Sequence, residues 1–99
     1  EPLRSEEEAE KRRRTSASER IAEAEALLEQ ADRYVQGRRG AIDLGTRSQL
    51  SQAHSALSQA RAATEPAEAV SLASTAAALA RHARHRRADL QHRDAQRRQ

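Results

Sequence analysis

Apolar residues recur along this chain at helical spacing in three separate runs. Ala17, Ile21, Ala24, Leu28, Ala31 and Val35 are separated by alternating steps of four and three. Leu50, Ala53, Leu57 and Ala60 follow the same rule, as do Ala69, Leu72, Ala76, Leu79 and Ala83. Such steps put each set on one stripe of a helix, because 3.6 residues complete a turn. The pattern predicts helices over about 17–36, 46–64 and 66–83. Leu27 and Tyr34 flank the first stripe and widen it.

The breaks between runs carry their own chemistry. Gly37 and Gly40 are expected to stop the first helix, glycine being the residue best suited to the left-handed turn that ends helices. Thr46 is a candidate cap for the second helix, and Ile42 and Leu44 are expected to fold back over the end of the core. Pro66 suits the first turn of the third helix, where its missing N–H costs nothing. Short connections imply antiparallel neighbours. Folding at 64–65 sets Leu57 beside Leu72 and Ala53 beside Ala76, while folding near 42–43 sets Leu28 beside Leu57. The expected fold is all-α: a small antiparallel three-helix bundle over 17–83, with alternating alanine and leucine layers and extended charged ends.

Composition makes that core thin. The chain has 22 alanines but only 13 leucines, isoleucines and valines together, and no Phe, Trp, Met or Cys. Alanine, glutamate, arginine and glutamine are strong helix formers, so helix is favoured even where no stripe exists. A core of this kind predicts marginal stability or reliance on association. The missing cysteines remove disulfide and thiolate chemistry. No apolar run approaches the roughly 20 residues that span a bilayer, and no signal-peptide pattern opens the chain. A first residue of Glu and the lack of any Met lead us to expect a piece of a longer protein.

The net charge of +3 conceals a polarity. Residues 1–33 are acidic on balance and residues 81–99 strongly basic. The polar segment 1–16 is expected to be a solvated, fraying helix or disordered. Ser5 would be its cap, and Glu7–Lys11, Glu8–Arg12 and Glu10–Arg14 its supporting pairs. The segment 84–99 is read as a basic tail, helical or disordered.

Candidate chemistry is sparse. Arg38 and Arg39 at a helix end could clamp a phosphate or an acidic partner; the preferred reading is that they complement the negative end of the helix dipole. Arg81, Arg84, Arg86 and Arg87 are the corresponding candidates in the tail, for an acidic partner, nucleic acid or an anionic membrane surface. The tail lacks aromatic residues to stack bases and a bulky apolar face to enter a membrane. His82, His85, Asp89 and His92 fall on one helical face, yet arginines surround them and no second element supplies ligands, so no metal site is expected. His54 borders the second stripe without a catalytic partner. Lys11-Arg12-Arg13-Arg14 before Thr15 and Ser16 has the form of a target for basic-directed kinases, a form common by chance. No catalytic set and no cofactor motif is present in the sequence. The expectation is a non-enzymatic module with no small-molecule substrate.

Residues 34–60, with Arg38-Arg39-Gly40-Ala41-Ile42 ahead of a helix carrying Arg47, Leu50 and Ala53, add a resemblance. Together with the Glu65-Pro66 turn and the Ala69–Ala83 helix, they resemble the helical C-terminal region of actinobacterial TPM-domain membrane proteins. The chain departs from that pattern at Gly45-Thr46, where the family has an alanine before the arginine matched by Arg47. The resemblance implies an alanine-rich appendage on the cytoplasmic face of the membrane, part of a longer chain and soluble as this fragment. It implies no activity for the region and no catalytic residues. Phosphatase-like chemistry suggested for some TPM domains would belong to a domain outside this sequence. The partner implied is an unknown protein or a second copy, with weak anionic-surface binding as the alternative.

Overall fold

The computed structural model describes the backbone over 2–38 and 42–98 and the side chains over 3–38 and 42–84. Three helices pack together: α1 (Pro2–Gln36), α2 (Leu44–Ala62) and α3 (Pro66–Arg98). Among the described residues there is no strand. The all-α three-helix bundle expected from the stripes is the fold observed.

The first helix is longer than its apolar stripe. It begins at Pro2 rather than near Ala17, because proline is well suited to a first helical turn and the residues after it are good helix formers. Glu6, Glu7 and Glu8 consequently lie beyond the first turn, and Ser5 is inside the helix rather than its cap. Of the expected supporting pairs, Glu10–Arg14 forms at 3.2 Å; Glu10 also accepts from Arg13 at 3.0 Å, and Glu8 pairs with Arg4 instead of Arg12.

Asp43, not Thr46, caps α2. Its backbone is extended and its carboxylate accepts from the Thr46 backbone N–H at 3.1 Å. That arrangement satisfies one of the free donors at a helix start. It also makes Thr46 an interior residue whose side chain is fully buried. Ile42 packs inward as expected, whereas Leu44, the first residue of the helix, is 83% exposed. The helix ends at Ala62, two residues before the expected limit: Ala63 is extended, and its N–H donates to the Ala60 carbonyl to close the last turn. Pro66 opens α3, and the Glu65 carbonyl accepts from the Ala69 N–H at 3.0 Å.

The core follows the first two stripes closely. Ala17, Ala24, Leu28 and Ala31 of α1 are buried, with Ile21 and Val35 packed against them; Leu50, Ala53, Leu57 and Ala60 of α2 are all buried. The third stripe differs. The buried residues of α3 are Ala69, Ala73, Ala76, Ala77, Ala80 and Ala83, and Leu72 and Leu79 are only half-buried at its edge. α3 packs against both other helices, while α1 and α2 touch each other much less. A seam of methyl groups lets α3 approach two neighbours at once, and its leucines extend from the flanks to cover the gaps. Among the described residues, twelve of the sixteen buried apolar side chains are alanine. Each buries little area, so the bundle depends on close helix contact rather than on bulky side chains.

Candidate functional site

Charged side chains on α1 form the links between helices. Asp32 meets His54 of α2, with the imidazole Nε2 3.0 Å from the carboxylate. One heptad earlier on α1, Glu25 accepts from the Arg61 guanidinium at 3.1 Å. The two contacts run in opposite chain directions, as antiparallel helices require. Glu23 accepts from Arg81 of α3 at 3.2 Å, and Gln30 from Arg84 at 3.0 Å. These run in the same direction, so α1 and α3 are parallel. The seven-residue steps Glu25–Asp32 and His54–Arg61 were the signal that these residues flank a seam.

The arginines singled out from the sequence are engaged in different ways. Arg38 stacks over the Tyr34 ring, 3.8 Å from its centroid, and donates to the Tyr34 carbonyl at 3.4 Å. A guanidinium so placed satisfies a terminal carbonyl and lies at the negative end of the α1 dipole. Gly37 donates to the Arg33 carbonyl and Arg38 to the Val35 carbonyl, which closes the last turn of the helix. Gly37 does not adopt the left-handed backbone expected of it, so α1 ends there without that turn. Arg81 and Arg84 bridge to α1 as described. Arg39 and Gly40 lie outside the described residues, as do the side chains of Arg86, Arg87, His85, Asp89 and His92.

No group of histidine, cysteine or acidic side chains suited to a metal ion occurs among the described residues. His82 is exposed. Asp32 and His54 form a carboxylate–imidazole pair, but His54 is half-exposed and its described partner is Asp32. Arg20 and Arg81 flank a small cleft between α1 and α3, floored by Ala73, Ser74 and Ala77, with Glu23 between the two cations. Glu23 lies 3.7 Å from Arg20 and 3.2 Å from Arg81, so the cleft already holds its own anion.

Among the described residues, two buried side-chain polar atoms have no hydrogen-bond partner: Thr46 Oγ1 and Gln49 Oε1, one turn apart on α2. No helix among the described residues is long and apolar enough to cross a membrane. Glu10 has a clear pKa displacement. The hydrogen bond from Arg13 is the largest cause; it outweighs the opposing desolvation and, with the hydrogen bond from Arg14 and the charges of both arginines, holds the carboxyl below the usual carboxylate range. The displacement belongs to a local helix-surface cluster, not to a cleft.

Compared with family models, curated proteins and solved structures, the chain matches none of them.

Proposed function

We propose that this chain is a non-enzymatic helical interaction or scaffold module, the cytoplasmic helical part of a membrane-anchored TPM-domain protein. One observation carries the first half of that reading. Four polar pairs join one helix to another: Asp32 with His54, Glu25 with Arg61, Glu23 with Arg81 and Gln30 with Arg84. Three of the six candidate arginines, Arg38, Arg81 and Arg84, likewise have partners within the molecule. This favours a structural role for them over an electrostatic grip on nucleic acid or lipid. The second half rests on the sequence resemblance over 34–83.

Two experiments test the halves separately. Purified residues 1–99 should show no turnover of a phosphate monoester; turnover that disappears in a His54→Ala variant would overturn the non-enzymatic reading. For placement, a tag inserted in this segment of the natural chain should resist external protease until the membrane is permeabilised. Cleavage on intact cells would overturn the cytoplasmic assignment.

A further inference from the structure

Residues 3–16 of α1 are a largely exposed stretch of helix. Every side chain from Leu3 to Ser16 is exposed except Ala9 and Glu10, which are half-buried. The core begins only at Ala17. Yet the heptad does not stop there. Leu3, Glu7, Glu10 and Arg14 continue the steps of four and three that lead into Ala17 and Ile21. Leu3, Glu6, Glu7, Glu10, Lys11 and Arg14 line one shallow surface depression on this face. Leu3 is 71% exposed within it.

The charges of this arm are sorted into two blocks. Glu6, Glu7, Glu8 and Glu10 precede Lys11, Arg12, Arg13 and Arg14, with Ala9 near the boundary. Arg4–Glu8, Glu10–Arg13 and Glu10–Arg14 are paired within the helix. Glu6, Glu7, Lys11 and Arg12 make no ion pair with any described residue. A block pattern of this kind is complementary to itself reversed. Two arms side by side in parallel would set glutamates against glutamates, which is repulsive. Two arms in antiparallel set the glutamates of each beside the lysine and arginines of the other, about a two-fold axis between Glu10 and Lys11.

We propose that the arm 2–16 docks on the same arm of a second copy of this chain, antiparallel, through its segregated charges. This deepens the scaffold reading, on which it rests, by naming the partner and the surface. The contacts are exposed ion pairs, so the dimer is weak and salt-sensitive. It contributes a way for copies to be brought together without using the bundle.

The test is sedimentation equilibrium of residues 1–99 at about 0.05 M and about 0.5 M salt, the lower value leaving such charges poorly screened. It uses two reversal variants, E6K/E7K and K11E/R12E. These four residues carry no ion pair with any described residue, and circular dichroism verifies that each variant remains helical. The wild type should dimerise at low salt, with association roughly tenfold weaker at high salt. Each variant alone should lose association, and an equimolar mixture of the two should recover it as a heterodimer. A wild type that stays monomeric at low salt, or a dimer indifferent to both reversals, would overturn the proposal. A monomeric chain that remains folded and inactive would leave the scaffold reading standing, so the two failures are distinguishable.

Discussion

Glu23 and Arg81 lie 58 positions apart in sequence and meet at 3.2 Å, tying α1 to α3 across the open side of their seam. Arg20 approaches the same carboxylate at 3.7 Å, so Glu23 sits between two cations. Both members of the Glu23–Arg81 pair are about half-exposed, and solvent screens such a pair heavily. A double-mutant cycle with Glu23→Gln and Arg81→Gln should give a coupling of about 0.5 kcal/mol or less, shrinking with salt. The pair therefore fixes how α1 and α3 align more than it stabilises the bundle.

The alanine seam of α3 carries more weight. Ala76 is fully buried between the helices, and Leu57 of α2 is almost so. Ala76→Leu should cost about 1–3 kcal/mol by forcing the helices apart. Leu57→Ala should cost about 2–5 kcal/mol, because little around it can move in to fill the space. For a domain this small, either loss is a large fraction of the total stability. Urea unfolding followed by circular dichroism measures both. A neutral Ala76→Leu would mean that the close approach of α3 is not required.

Thr46 offers a gain instead of a loss. Its side chain is buried and its hydroxyl lacks a partner. Its backbone N–H is held by Asp43, an interaction that a substitution at residue 46 retains. Thr46→Val keeps the shape and removes the unsatisfied oxygen, and should stabilise the bundle by about 1 kcal/mol. Thr46→Ser keeps the oxygen, loses a methyl, and should destabilise by about 0.8 kcal/mol. Paired thermal melts distinguish the two directions.

Glu10 gives the pH dependence of the arm. Hydrogen bonds from Arg13 and Arg14 depress its pKa in the folded helix. A depressed carboxyl contributes stability that is fully present above its unfolded pKa. That stability is lost as pH falls through the folded value. Helicity of residues 2–16 should therefore decline on acidification through and below the ordinary carboxylate range. In a carbon-detected NMR titration, Arg13→Ala should raise the Glu10 midpoint. An unchanged midpoint would contradict the assigned cause.

How far the sequence could be read depended on which residues discriminate between alternatives. Leu50 and Leu57 fix the inner face of α2, because polar residues occupy the other positions around them. In α3, alanines at 73, 76, 77, 78 and 80 are compatible with several stripes. Leu72 and Leu79 draw the expected seam to one side of the true one. Only contact with two neighbouring helices decides that case. Asp43 and Thr46 are both good caps by composition, and the inward packing of Ile42 accompanies the choice of Asp43. The candidate arginines were legible as helix-end and tail charges. Their partners Glu23 and Gln30 were not, since they are more than fifty residues away in sequence.

The central claim is that residues 17–84 form a self-sufficient scaffold from which a charged arm projects. Amide hydrogen exchange on residues 1–99, followed residue by residue at dilute protein concentration, tests it most directly. Slow exchange is expected at Ala24, Leu28, Leu57 and Ala76 of the buried core, and fast exchange from Leu3 to Ser16, where the helix is largely exposed. Uniformly fast exchange across 17–84 in the monomer would contradict the claim, because the bundle would then require another chain to complete its core.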